Sequence, residues 1–155
     1  MLITKILGNV NDTPDGARAT DSVVFDNESR VKRVQRVVTE AGSDLGLRLD
    51  SEFKELKDGD ILYRDGDAVI VAKIAPVDVL VIKPRTIKEA LLVGHTLGNR
   101  HLQAQFFDAS SVFGAECMVV RYDHTVEHTL EHLEVDFERG EHVMPRPFRH
   151  AEHTH

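Results

Sequence analysis

Short apolar stretches separated by turn residues characterise the first half of the chain. Residues 22–25 and 69–71 are runs of β-branched and other apolar residues, whereas residues 56–60 and 64–67 are rich in Asp and Gly. Runs of this kind, bounded by such clusters, are typical of strands joined by tight turns. The pattern predicts a small all-β domain over residues 1–74.

One stretch of this domain, residues 30–36, is rich in Arg and alternates imperfectly between polar and apolar positions. Because the β-branched residues 37–39 continue it, the pattern favours a strand over a helix. A basic strand at the surface is a candidate for contacts with partner proteins.

The pattern changes after residue 75. Residues 77–82 form a nearly continuous apolar run, which is typical of a buried strand. Thr86 and Glu89 then match a capping box at the start of a helix. Apolar residues recur at helical spacing beyond this point, and Gly98 with Asn99 supplies a stop signal.

The remaining pattern predicts strands at residues 101–107 and 115–121, a helix from a cap at Asp123 to about Glu134, and a last strand near residues 141–144. The order strand, helix, strand, strand, helix, strand is typical of the ferredoxin-like fold. The second half of the chain is therefore expected to form such a domain.

These elements predict an α+β protein with an all-β domain at residues 1–74 and a ferredoxin-like domain at residues 75–144. Residues 145–155 contain two prolines and cannot continue a helix. They are expected to form a flexible tail that contains histidines.

Composition excludes several classes of function. The 155 residues include 19 Lys and Arg against 26 Asp and Glu, for a net charge of −7, and no Trp. This balance argues against a nucleic-acid binder with a basic face. No apolar run approaches the ~20 residues of a membrane span, and the first residues are too weakly apolar for a secretory signal. We expect a cytoplasmic protein that has no membrane partner.

Histidine is the most informative residue type. The single cysteine, Cys117, excludes an intrachain disulfide framework and a Cys-rich metal site. All nine histidines follow residue 94: His95, His101, His124, His128, His132, His142, His150, His153 and His155. Histidine is therefore the abundant candidate ligand for a transition-metal ion.

The spacing of these histidines is compatible with more than one role for each of them. His101 follows a helix stop and is either a turn residue or a metal ligand held on rigid backbone. His95, inside the same predicted helix, is expected to pack or to form a hydrogen bond. Cys117 alternates with apolar residues and is expected to be buried.

Three histidines, His124, His128 and His132, recur at every fourth residue of the second predicted helix. This spacing places them on one face, opposite Val126 and Leu130. They form either a solvated polar face or a weak additional metal site.

The sequence contains no motif that indicates catalysis. It has no phosphate-binding glycine loop, no nucleophile elbow and no HExxH pair. We therefore expect a protein that is not an enzyme.

Three segments, taken in order, resemble the UreE family of urease accessory proteins, which deliver nickel. They read EAGSDLGLRL at residues 40–49, LKDGD at residues 56–60 and GHTLGNRHLQAQF at residues 94–106. The GNRH sequence that ends at His101 is the most specific of these matches.

The resemblance implies a nickel metallochaperone that dimerises through its C-terminal domain. It implies that His101 faces its twin across the dimer axis and helps to bind Ni(II). Histidines of the tail are further ligands in many members, which implies the same role, by type and location, for His150, His153 and His155. The implied partners are the urease GTPase UreG and the complex of apo-urease with its accessory proteins.

Two other functions stay open at this point: a cytosolic nickel or zinc buffer, and a metal-dependent enzyme that uses His101 with carboxylates. The tail lacks the long polyhistidine run of some family members, which argues against high-capacity nickel storage. Ala115, Glu116 and Cys117 stand where some members have an auxiliary histidine pair, so that site is expected to be missing.

Overall fold

The structure is a computed structural model that describes residues 1–12 and 18–149. Over these residues the protein is α+β, with strands in both halves and α-helices in the second half. None of the helices in the described ranges is long and apolar enough to cross a bilayer.

The chain divides into two compact units. The first contains Met1–Pro76 together with Val143–Pro147, and the second contains Val77–His142 together with Phe148 and Arg149 among the described residues. Residues 143–147 therefore group with the first unit, although the sequence assigned them to the end of the second domain and the start of the tail.

The first unit consists of strands and short 3₁₀ turns. Its strands are β1 (Leu2–Ile3), β2 (Asp21–Phe25), β3 (Val34–Val38), β4 (Asp44–Arg48), β5 (Ile61–Asp65) and β6 (Ala68–Ile74). They form two three-stranded sheets, in the orders β1-β4-β3 and β2-β6-β5. Phe25, Leu47, Leu56 and Leu62 are almost completely buried in the core of this unit. An all-β first half is what the alternating pattern predicted.

Arg30 departs from the prediction. Residues 29–31 form a 3₁₀ helix, and β3 begins only at Val34. The Arg30 side chain is 1% exposed, and its guanidinium donates hydrogen bonds to the carbonyl oxygens of Leu56 (3.0 Å) and Met144 (2.9 Å). Arg30 is therefore part of the interior of the first unit, and the expectation that it contacts partner proteins is wrong.

The second unit contains one sheet and two helices within the described residues. Its elements are β7 (Val77–Ile82), α1 (Ile87–Gly98), β8 (Ala104–Phe107), β9 (Cys117–Arg121), α2 (His124–Leu133) and β10 (Phe137–His142). The sheet is antiparallel, in the order β10-β7-β9-β8. Apolar side chains from the sheet and from both helices form one core: Leu80, Ile82, Val93, Leu97, Val120, Val126 and Leu130. Both helices therefore cover the same face of the sheet.

Local signals fix the start of each helix. The Thr86 hydroxyl accepts a hydrogen bond from the Glu89 amide at 3.1 Å, and the Glu89 carboxylate accepts one from the Arg85 amide at 2.7 Å. The Asp123 carboxylate caps α2 by accepting from the amides of Thr125 and Val126. Both predicted helices are confirmed.

The last strand lies earlier than the sequence indicated, at Phe137–His142 and not at residues 141–144. β10 pairs with β7 residue by residue, from Phe137 opposite Ile82 to His142 opposite Val77. Its sequence, FERGEH, has little apolar content, so pairing with a distant strand determines its position and the local pattern does not.

The chain after β10 stays packed for several residues. Met144 is 1% exposed and Phe148 is 4% exposed, and the Arg121 guanidinium carbon lies 5.8 Å from the centre of the Phe148 ring. The prediction of a flexible tail from residue 145 is therefore wrong for residues 145–149. Residues 150–155 lie outside the described part of the chain.

Candidate metal centre

His101 lies on the turn that follows α1. Its backbone φ is +54°, in the left-handed region, and its amide donates a hydrogen bond to the Gly98 carbonyl oxygen at 3.1 Å. The side chain is exposed. The sequence placed His101 at the start of a strand, but β8 begins three residues later, at Ala104. The imidazole is thus presented from a closed turn at the carboxyl end of a helix, where the helix dipole favours a cation.

Arg100, the residue before His101, ties this turn to the second helix. One guanidinium nitrogen donates to the Thr125 hydroxyl at 3.2 Å, and the other donates to the Thr129 hydroxyl at 3.0 Å. Sequence reasoning did not single out Arg100, because its two partners lie 25 and 29 residues further along the chain.

Asp123 stands at the end of the same hydrogen-bonded chain. Its carboxylate accepts from the Thr125 hydroxyl, and this bond, followed by the bonds from the Thr125 and Val126 amides, holds the pKa of Asp123 below its ordinary value. The carboxylate therefore stays ionised at neutral pH.

The predicted ligands are not seen together. His150, His153 and His155 lie outside the described residues, so their positions relative to His101 stay a prediction. Within residues 1–12 and 18–149, no group of three or more His, Cys, Asp or Glu side chains is arranged to hold a metal ion. In the part of a single chain that is described, His101 has no set of neighbouring ligands.

The histidine stripe of α2 is directed to solvent. His124, His128 and His132 are exposed, while Val126 and Leu130 on the opposite side are buried. The predicted orientation is confirmed. The three imidazoles follow the helix in a row and do not converge into a metal-binding group.

Two other predicted side chains are placed clearly. His95 is exposed on α1, so, of the two expectations for it, packing is wrong, and a hydrogen bond of its side chain stays a prediction. Cys117 is 7% exposed, and burial raises the pKa of its thiol. The predicted role of Cys117 as a small buried residue is confirmed.

An apolar surface on α1 is the feature that sequence reasoning missed. Ile87 is 82% exposed, Leu91 is 67% exposed, and Phe106 on neighbouring β8 is 68% exposed. An open groove of about 600 Å³ lies between these elements. The helical pattern of apolar residues was visible, but a pattern cannot show which apolar residues face the core of their own chain.

The comparisons with known proteins agree with the motif that contains His101. Residues 3–75 match the family described as UreE urease accessory protein, N-terminal domain. The protein named urease accessory protein UreE from Paenarthrobacter aurescens (strain TC1) is 54% identical, and those from Arthrobacter sp. (strain FB24) and Corynebacterium urealyticum (strain ATCC 43042 / DSM 7109) are 52% and 49% identical. Each likeness covers 100% of both chains. The relatives are named as accessory proteins and not as enzymes, and the chain belongs to this UreE family of urease accessory proteins.

Proposed function

We propose that this protein is a cytoplasmic metallochaperone that binds Ni(II) and delivers it for assembly of the urease active site. The observation that carries the proposal is His101, an exposed imidazole on a hydrogen-bonded turn in the GNRH motif. Imidazole suits Ni(II), and Zn(II) or Cu(II) would compete for the same nitrogen atoms. The family name supports a role in urease maturation, and the nickel cargo is our inference.

A homodimer completes the site. One imidazole is too few ligands for an ion that takes four to six, whereas a two-fold interface duplicates every residue near its axis. The exposed face of α1 supports this assembly, because Ile87 and Leu91 on it are apolar. The surface beside Gly94 and Gly98 is also open, since a Cβ atom added at either glycine would meet no atom within 4 Å. A second copy that covers this face removes apolar surface from water.

The proposed dimerisation unit is a ferredoxin-like domain. Its support is the antiparallel sheet order β10-β7-β9-β8, with both helices packed on one face. In this arrangement α1 and His101 belong to the same rigid unit, so the pairing of two α1 helices is a direct way to bring two His101 side chains together.

We propose that His150, His153 and His155 of the tail provide the remaining ligands. Imidazoles on a chain terminus can approach the paired His101 residues and leave one at a time. Stepwise release suits a protein that must give its metal away, since a saturated rigid site would retain it.

The first unit is the proposed contact surface for UreG and for apo-urease with its accessory proteins. It contains no histidine and no cysteine among residues 1–76. Arg30 is buried, but Lys32, Arg33 and Arg36 are exposed and remain available for an acidic partner surface.

The test is a comparison of nickel binding and nickel transfer. Calorimetric titration of the wild type and of His101→Ala shows whether His101 is the central ligand. Transfer of labelled nickel to apo-urease, with and without the protein, separates a carrier from a buffer. Activation of urease that is unchanged by the nickel-loaded protein would contradict delivery and leave a buffering role.

A further inference from the structure

The turn that carries His101 has an uncommon backbone conformation. A residue with a side chain rarely occupies the left-handed region, because its Cβ crowds the neighbouring carbonyl oxygen. His101 does so with a φ of +54°, on a surface that is exposed to water. The hydrogen bond from its amide to the Gly98 carbonyl oxygen closes the turn on α1, and the next residue, Leu102, packs partly against the core of the unit.

Arg100 adds the side-chain hydrogen bonds that attach this turn to α2. Its guanidinium reaches two hydroxyls that stand one turn apart on α2, at 3.2 Å from Thr125 and 3.0 Å from Thr129. The planar fork of an arginine can donate in two directions at once, which an ammonium group on a flexible stem does less well.

The two hydroxyls are set up to accept these bonds. The Thr125 hydroxyl donates a hydrogen bond to the Asp123 carboxylate, and the Thr129 hydroxyl donates one to the Thr125 carbonyl oxygen at 2.9 Å. A hydroxyl has only one proton to donate, so the oxygen lone pairs of both residues are left for Arg100. The direction of each bond in this network is therefore fixed.

The same contacts turn the positive charge of Arg100 towards α2. A guanidinium that pointed freely into solvent beside His101 would repel a divalent cation held by the imidazole. The hydrogen-bonded geometry keeps the arginine engaged with the two threonines.

We propose that Arg100 is a positioning residue for metal binding: by clamping the turn onto Thr125 and Thr129, it holds His101 in the orientation that binds the cation. This inference rests on the proposed function. In a homodimer the clamp operates twice, once for each imidazole of the pair, so its loss disturbs both central ligands.

The test uses the full-length protein and Ni(II) alone as the probe. The double variant Thr125→Val and Thr129→Val removes both acceptors, keeps the shape of the side chains and leaves Arg100 in place. Arg100→Gln removes the donor. We expect each to weaken the tightest nickel-binding event about tenfold, the lower end of the effect of removing groups that orient a metal ligand. Arg100→Lys should restore only part of the affinity.

Arg139→Gln is the matched control. Arg139 also lies in the second unit and donates to the Asp78 carboxylate at 3.2 and 2.8 Å, but it does not contact the turn that carries His101. Its loss should leave nickel affinity at the wild-type value. Circular dichroism and light scattering confirm that each variant is folded and dimeric.

A second measurement separates positioning from a general structural role. Each change is repeated in a His101→Ala background, where Arg100 has no imidazole left to orient. The weaker nickel binding that remains in this background should show no further loss. An equal loss in both backgrounds, or wild-type affinity in the folded double threonine variant, would overturn the inference. Tight binding that survives His101→Ala would overturn the assignment of the metal site to His101, and this inference with it, whereas failure of nickel transfer to apo-urease would overturn the proposed function.

Discussion

The two helices of the second unit bury one face each in the same core, yet their outer faces differ in kind. α1 exposes Ile87 and Leu91, whereas α2 exposes a row of three histidines. Apolar surface left in water favours association, while a polar face is already satisfied by solvent. In the proposed function, therefore, α1 creates the metal site by bringing two chains together, although α2 carries more imidazoles.

The largest expected effect comes from a charge on the outer face of α1. Leu91→Asp should raise the dissociation constant of the dimer by at least about 100-fold, because an unpaired carboxylate would be buried on each side of the two-fold interface. The tightest nickel event should disappear with the dimer. Light scattering and calorimetry on the same samples measure both.

Leu92→Asp is the control for that variant. It is the same substitution on the next residue, which is 46% exposed but lies about 100° further round the helix, away from the face that carries Ile87 and Leu91. It should leave the protein dimeric. A dimer that tolerated Leu91→Asp at micromolar concentration would rule out α1 as the interface and remove the proposed reason for its apolar surface.

The next prediction compares the substitution of one histidine with the substitution of three. His101→Ala should abolish the tightest nickel-binding event while the protein stays dimeric, since it removes both central ligands. Replacing His124, His128 and His132 together by Ala should leave that event in place, although it removes three times as many imidazoles. If the triple variant lost tight binding and His101→Ala kept it, the metal site would belong to α2.

A smaller effect is expected from the end of the chain. A protein that stops at Arg149 lacks His150, His153 and His155 but keeps the packed residues Met144 and Phe148. We expect nickel affinity to fall about tenfold, and the stoichiometry to fall with it, without complete loss. Calorimetric titration at neutral pH measures both. Binding should also weaken near pH ~5.5 in the wild type, because a ligand nitrogen must lose its proton before it binds metal.

The smallest effect distinguishes the caps of the two helices. Thr86→Ala should lower the free energy of unfolding by about 1 kcal/mol, and this loss should not change in acid because a hydroxyl does not titrate there. Asp123→Ala should also destabilise the protein at neutral pH, but its effect should shrink in acid.

The direction of this pH effect on the free energy of unfolding follows from the pKa of Asp123, which the Thr125 hydroxyl lowers in the folded protein. A carboxylate with a lowered pKa stabilises the fold above the ordinary value of about 3.9, and this contribution is lost as the pH falls through the lower folded value. Urea unfolding at pH 7 and near pH 3 tests it, with Asp123→Asn as a variant that retains a capping oxygen. A difference between wild type and Asp123→Ala that grew in acid would contradict the cap.

Sequence reasoning succeeded where the signal is local. Thr86 and Asp123 cap their helices through amides two or three residues away, so a short pattern contains the whole interaction. The motif also identified His101 correctly as an exposed residue after a helix. It misplaced the turn, because Gly98 and Asn99 looked like the left-handed stop, whereas Asn99 has a φ of −65° and His101 has the positive value.

Other features depend on contacts that no short pattern records. The pattern of the arginine-rich stretch 30–36 favoured an exposed strand, but Arg30 is buried, and the carbonyl oxygens that accept hydrogen bonds from its guanidinium lie 26 and 114 residues away. The position of β10 depends on its pairing with β7. In the proposed homodimer, a second molecule covers Ile87 and Leu91. Periodicity shows that a side chain is apolar and does not show what it contacts.

The buried guanidinium of Arg30 also constrains the order in which the protein is completed during synthesis. Two of its acceptors, at Met144 and Pro145, leave the ribosome only after residues 77–142 of the second unit, while Arg30 itself emerges before them. A buried charge that lacks part of its acceptors is costly, so with Leu56 alone in place the interior of the first unit cannot close fully until residues 77–142 have been translated. Although this unit is encoded almost entirely by the first 76 residues, its folding is completed only after the second unit's strands and helices have been made, and a fragment that ends at Pro76 should be less stable than the same unit within the whole chain.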